Sequence, residues 1–176
     1  PPRNKLFGMA GSLDSSRYRY FIAEAANVAV ENVEALVLGG HGDTMVPIRS
    51  ATSIAGMPVT KFIDEDTLGA IEARTRKAGG EIVGLLGSGS AFVSPAISAL
   101  EMVEAIAFDK RKIVPVAAYL KGEYGVKDMF LGVPVILGKN GIEDIVKIKL
   151  TPDEKKALRV SINAVKGTVK AVDKVR

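Results

Sequence analysis

The spacing of apolar residues predicts four helices along the chain. The first covers 12–30 and begins at Ser12, a residue type favoured at helix N-caps. Its apolar face would consist of Leu13, Phe21, Ile22 and Ala25. The next two helices are predicted over 64–86 and 91–108, with the sequence Gly-Ser-Gly-Ser between them. The helix over 91–108 is mostly apolar and is therefore expected to be buried.

The last helix has a complete start signal. Thr151 is placed as the N-cap, Pro152 at the first helical position and Glu154 at the third, which together form a capping box. Apolar residues then recur every three or four positions. This stripe consists of Leu158, Ile162, Val165, Val169 and Val172. The basic residues lie mainly off the stripe, so we expect one packed face and one solvated face.

The segments between the helices have the pattern of strands. A buried strand is predicted over 33–40, where two glycines end it. The segment 53–63 contains a Gly-Met-Pro turn between short extended pieces. Turn residues separate three further runs, which predict a meander of three strands over 112–122, 128–141 and 142–150. These elements together predict a single α+β domain over 1–176.

Composition narrows the possible functions. The chain has 176 residues, of which 47% are apolar, and no cysteine, which excludes disulfides and thiolate metal sites. The longest apolar run, 113–120, is too short to cross a bilayer, so the expected location is the cytoplasm. The net charge is +4, but nine basic and three acidic residues lie within 147–176. We therefore attribute the basicity to one solvated helix face, and expect no nucleic-acid partner.

His41, the only histidine, lies in the sequence LGGHGDTMVP at 38–47. Gly40 and Gly42 flank it and leave room for a ligand to approach the imidazole closely. Such a histidine can donate or accept a proton near neutral pH. The alternative is a turn histidine that forms hydrogen bonds only with the local backbone.

Asp14 and Arg17 lie three residues apart at the start of the first helix and so project from one face. An aspartate there could accept the imidazole N–H and stabilise the protonated ring. An arginine there offers a planar fork for a carboxylate. The alternative is an ordinary ion pair within the helix. Arg19 is out of phase with Arg17 and is expected to be structural.

The segment GMAGSLDSSRYRYFIAE followed by LGGHGDTMVP resembles the malate and lactate dehydrogenase superfamily, and among its members the lactate-dehydrogenase-like malate dehydrogenases. The resemblance continues through TRKAGGEIVGLLGSGSAFVSPA, PVAAYLKGEYGVKDMFLGVPVILGKNG and LTPDEKKAL, and it covers essentially the whole chain. It implies the fold of the C-terminal domain of that family, with long helices packed on an antiparallel sheet.

The resemblance also implies roles for five residues. His41 matches the catalytic histidine, on the nicotinamide side of the substrate, and Asp14 matches the aspartate that pairs with it. Arg17 matches the arginine that binds the substrate carboxylate. Gly89 and Ser90 belong to the GSGSAF segment, which matches the loop that closes the far wall of the pocket. No metal site is implied.

Two features favour malate and oxaloacetate over lactate as substrates. The loop at 87–92 lacks the threonine and tryptophan usual in lactate dehydrogenases. The histidine motif reads GGHGD, as in malate dehydrogenases, where lactate dehydrogenases usually have GEHGD. The resemblance therefore implies reversible, NAD-dependent oxidation of (S)-malate, a step of the tricarboxylic acid cycle. Lactate dehydrogenase, acting on another 2-hydroxy acid, is the alternative.

The family's dinucleotide-binding domain has no counterpart in this sequence, which contains no strand followed by G-x-G-x-x-G and a helix. We expect that domain, most of the NAD site and the substrate lid to lie upstream of residue 1. The chain would then be the substrate-binding and catalytic half of a homo-oligomeric enzyme, dimer or tetramer, and inactive alone. A non-catalytic oligomerisation or interaction module is the remaining alternative.

Overall fold

The computed structural model describes residues 2–174, in which four α-helices pack against antiparallel strands. The helices are α1 (Gly11–Ala26), α2 (Glu65–Leu86), α3 (Val93–Ala107) and α4 (Pro152–Asp173). The strands are β1 (Phe7–Gly8), β2 (Val33–Glu34), β3 (Val37–Leu38), β4 (Val46–Pro47), β5 (Ser53–Ile54), β6 (Met57–Pro58), β7 (Lys112–Lys121), β8 (Lys127–Gly138) and β9 (Gly141–Ile145). The predicted α+β class is confirmed. No helix within residues 2–174 is both long and apolar enough to cross a membrane.

The main sheet has the order β1-β7-β8-β9, and all of its pairs are antiparallel. The meander predicted over 112–150 is therefore confirmed, although its last strand ends at Ile145. One apolar core includes Val116, Leu131 and Val133 of this sheet together with Leu158 of α4. A second core, between α1, α2 and the short strands, is built around Tyr18, Ile22 and Leu68.

Helix α1 begins and ends differently from the prediction. Ser12 does not cap it. The helix starts at Gly11, and the Ser12 hydroxyl donates to Glu101 Oε2 of α3 at 2.6 Å. A Cβ at position 11 would come within 2.8 Å of Pro115 Cβ, so the first turn lies directly on β7. The helix ends at Ala26 because Asn27 adopts the left-handed conformation, which stops helical hydrogen bonding.

The single strand predicted over 33–40 is wrong. Two short strands form instead, because β2 pairs with β5 while β3 pairs with β4. The turn predicted at the Gly-Met-Pro sequence begins one residue earlier, at Ala55 and Gly56, both of which have positive φ. It joins β5 and β6 as a tight hairpin.

The predicted break after α2 is confirmed, since Gly87 ends the helix in the left-handed conformation. The predicted burial of α3 is wrong. The buried residues of α3 are Ser98, Met102 and Ala105, and the side that faces away from the core also carries apolar side chains. The α3 apolar face, with exposed fractions between 55% and 63%, consists of Val93, Ile97, Leu100 and Val103. No described residue of this chain covers that face.

Helix α4 has the predicted capping box. Thr151 Oγ1 accepts from the Glu154 N–H at 3.2 Å, and Glu154 Oε2 accepts from the Thr151 N–H at 2.8 Å. The apolar stripe is packed only over its first part. Leu158 is buried, whereas Val169 and Val172 are exposed. The helix is therefore anchored at its N-terminal end.

Replacing Thr151 with alanine should destabilise the fold by about 1 kcal/mol, because one N-terminal N–H of α4 loses its acceptor. Urea unfolding measures the change. Thr168→Ala is the matched control, since this exposed hydroxyl of the same helix bonds only to the Ala164 carbonyl. Equal losses in the two variants would contradict a specific role for the cap.

Candidate active site

Asp14 and His41 form the centre of the site. Asp14 lies in the first turn of α1 and is 2% exposed, while His41 follows β3 with its side chain 52% exposed. Imidazole Nδ1 donates to Asp14 Oδ2 at 2.9 Å. The structure thus brings together two residues that are 27 positions apart in the sequence. The other ring nitrogen, Nε2, is left to exchange a proton with a substrate.

The buried carboxylate changes the acidity of the imidazole. The hydrogen bond to Asp14 is the largest influence on the pKa of His41, and it raises that pKa above its ordinary value. Partial burial and the positive charge of Arg17 act in the opposite direction without cancelling it. The contact with Asp14 therefore makes the imidazole a stronger proton acceptor.

Arg17 lies one turn after Asp14 but forms no ion pair with it among the described contacts. Arg17 Nε and Asp14 Oδ1 are both buried and have no hydrogen-bond partner within residues 2–174. Desolvation lowers the pKa of Arg17, and the nearby Asp14 only partly opposes this effect. Unpartnered buried polar groups are rare in folded proteins. Arg17 also lines a pocket between α1, α2 and α3, where the guanidinium N–H groups other than the buried Nε can meet an anionic ligand.

Two buried serines fix α1 and the histidine loop relative to their neighbours. Ser15 Oγ, next to Asp14, accepts from the Val37 N–H of β3 at 2.9 Å. Ser161 Oγ of α4 accepts from the Gly40 N–H at 2.8 Å, directly before His41. The sequence analysis missed both serines. Their only signal is a small residue at a buried position, and that signal is common in packed cores.

None of the described hydrogen bonds or ion pairs joins Gly89 or Ser90 to Asp14, Arg17 or His41. Gly89 and Ser90 are both exposed at the end of α2, where the Ser90 carbonyl accepts from the Phe92 N–H at 2.8 Å. A pocket of about 350 Å³ beside Arg17 is lined by Phe21, Ile97 and other residues of α1, α2 and α3, but not by these two. The place of Gly89 and Ser90 in the substrate site remains a prediction.

Arg19 is structural, as expected. Its Nε donates to the Val33 carbonyl at 2.8 Å, so it ties α1 to β2. A cavity of about 720 Å³ lies between α2, the start of α4 and the segment 46–60. It includes none of Asp14, Arg17 and His41, and its Arg49 is already paired with Glu65 and Glu72.

The fold and the site together place a buried aspartate, a histidine and an arginine around the start of α1. A family model, the lactate/malate dehydrogenase alpha/beta C-terminal domain, matches residues 11–175. The malate dehydrogenase of Geobacillus thermodenitrificans is 51% identical over 172 residues, which are 98% of this chain and 55% of that protein. The chain therefore belongs to the lactate/malate dehydrogenase family and corresponds to its C-terminal domain.

Solved structures agree with this assignment. The malate dehydrogenase of Salinibacter ruber superposes with a TM-score of 0.97 at 46% identity, over 100% of this chain and 57% of that one. A lactate dehydrogenase of Cryptosporidium parvum, solved with lactic acid and nicotinamide adenine dinucleotide, gives a TM-score of 0.95 at 45% identity, over 98% and 56%. The chain thus spans about half the length of the relatives it matches.

Proposed function

We propose that this chain is the substrate-binding and catalytic half of an NAD-dependent malate dehydrogenase. The observation that carries the proposal is the Asp14–His41 hydrogen bond beside the unpartnered Nε of Arg17. It combines a proton acceptor with a carboxylate-binding group. Relatives that are named malate dehydrogenase share 49–54% of their aligned residues with this chain, which supports the choice of malate.

Each residue has a defined task in this proposal. Arg17 binds the malate carboxylate next to the hydroxyl-bearing carbon through two N–H groups of its guanidinium. Nε2 of His41 takes the hydroxyl proton as the carbon–oxygen double bond forms. Asp14 keeps Nδ1 protonated and stabilises the charge that develops on the ring. In the reverse direction, the imidazolium of His41 returns the proton to oxaloacetate.

NAD would supply the acceptor for the hydride that leaves the same carbon. Within residues 2–174 all strand pairs are antiparallel, so there is no β-α-β unit of the kind that holds a dinucleotide. The half-exposed His41 fits a position on the nicotinamide side. We therefore propose that the remaining NAD contacts come from the part of the whole protein that this chain does not cover.

The proposal includes a closed homo-oligomer. The exposed α3 apolar face supports it, because contiguous apolar surface on a folded domain marks a contact site. The same face would also serve a non-catalytic interaction module. The hydrogen bond of 2.9 Å between the half-exposed His41 and the buried Asp14 favours the enzyme, since a module has no use for an imidazole oriented in this way beside an arginine.

A hybrid enzyme tests the proposed function. This chain is joined to the N-terminal part of the Geobacillus thermodenitrificans relative, and NADH absorbance is followed with malate or lactate. We expect malate-dependent turnover by the hybrid, loss of turnover in its His41→Gln variant, and no turnover by the separate chain, although that chain should melt cooperatively. A folded hybrid without activity would refute the catalytic proposal, and a preference for lactate would refute the choice of malate.

A further inference from the structure

The backbone immediately before His41 is packed between two elements. Gly39 exchanges two hydrogen bonds with Gly132 of β8, both of 2.9 Å. On the other side Ser161 of α4, fully buried, bonds to the Gly40 N–H at 2.8 Å and donates to Thr44 Oγ1 at 3.5 Å. The loop of the histidine is thus tied to a residue of α4 that lies 121 positions after Gly40.

These contacts leave no space for side chains at positions 39 and 40. A Cβ on Gly39 would overlap Ser161 Oγ, and a Cβ on Gly40 would lie 2.6 Å from Val165 Cγ2. Gly40 does not have a positive φ, so its backbone would accept alanine and only the contact with α4 opposes it. The close approach of α4 therefore explains Gly40, whereas Gly39 is required both by that approach and by its positive φ of 93°.

We infer that α4 sets the position of His41 through Ser161 and Val165, which act as positioning residues for the proton transfer. His41 follows Gly40 directly, so a displacement of Gly40 changes the 2.9 Å distance between Nδ1 and Asp14. Asp14 cannot follow, because Gly11 and Ser15 fix α1 on β7 and β3. The inference rests on the proposed function, but the effect of α4 on the contact between His41 and Asp14 can be measured without substrate.

The single histidine makes that measurement direct, because the chain has one set of imidazole NMR signals. Gly40→Ala is expected to lower the pKa of His41 towards its ordinary value, since the hydrogen bond to Asp14 is the largest influence that raises it. Adding Val165→Ala removes the methyl that collides with the new Cβ, and should restore most of the loss. Ser161→Ala should lower the pKa without adding any atom.

Thr168→Ala is the control, because it removes an exposed hydroxyl from the same helix. An unchanged pKa in folded Gly40→Ala, or no recovery in the double variant, would overturn the inference. If Gly40→Ala does not fold, an unchanged His41 pKa in Ser161→Ala decides against the inference.

In the hybrid enzyme, Ser161→Ala should reduce kcat severalfold and leave KM for malate unchanged, because Arg17 is untouched. An inactive hybrid with the expected pKa shifts would refute the proposed function alone.

Discussion

Replacing Asp14 with asparagine should reduce kcat of the hybrid enzyme about a hundredfold and change KM little. The amide cannot stabilise the imidazolium, and it can hold the ring in the wrong tautomer. A hundredfold loss is the lower end of what general acid–base catalysis contributes, roughly 10²–10⁴. The pKa of His41 should fall towards its ordinary value, because its largest raising influence is lost. The acidic limb of the pH profile for malate oxidation should then move to lower pH.

Asp43→Asn is the matched control, since it removes an exposed carboxylate two residues from His41 that does not bond to the ring. A raised pKa in the folded state also means that the Asp14–His41 contact adds stability below the unfolded pKa, near 6.5, and loses it as the pH rises through the folded value. The stability difference between wild type and Asp14→Asn should therefore shrink towards alkaline pH. Wild-type kcat and an unshifted pH profile in Asp14→Asn would contradict the pairing.

Replacing Arg17 with lysine should reduce kcat/KM for malate about a hundredfold or more, a loss of about 3 kcal/mol in transition-state binding. The charge is kept, but the planar fork that binds a carboxylate through two hydrogen bonds is lost. Because this contact binds substrate and transition state alike, most of the change should be a rise in KM. Steady-state kinetics of the hybrid with malate measures it.

Arg19→Lys separates this effect from a general effect on α1. Arg19 is on the same helix, but its guanidinium binds backbone carbonyls of Val33 and Val30. We expect Arg19→Lys to lower the melting temperature and leave KM near that of the wild type. Equal rises of KM in the two variants, or an unchanged kcat/KM in Arg17→Lys, would remove Arg17 from the substrate site.

Several elements could be read from short stretches of sequence because their causes are local. The capping box at Thr151 and Glu154 needs only residues three positions apart, and the break after α2 needs only a glycine that accepts positive φ. The alternation and turns of 112–150 likewise define a meander without reference to the rest of the chain. The roles proposed for Asp14, Arg17 and His41 came from the resemblance of their motifs to those of the family.

Contacts between distant segments decided the remaining features. Ser12 has the right chemistry for an N-cap, but Glu101 on α3 takes its hydroxyl and the close contact with Pro115 sets the start of α1. The apolar character of α3 predicted burial, yet burial depends on which surface covers a helix, and no described residue covers this face.

The site itself shows the same division. Local sequence determined which chemical groups the chain carries: an imidazole between glycines, and a carboxylate one helical turn before a guanidinium. Only the tertiary structure determined that Nδ1 of His41 lies 2.9 Å from Asp14, and that Ser161 lies beneath Gly40. The physical reason is that side-chain chemistry belongs to each residue, whereas a distance between segments results from the packing of α1, β8 and α4 around one loop.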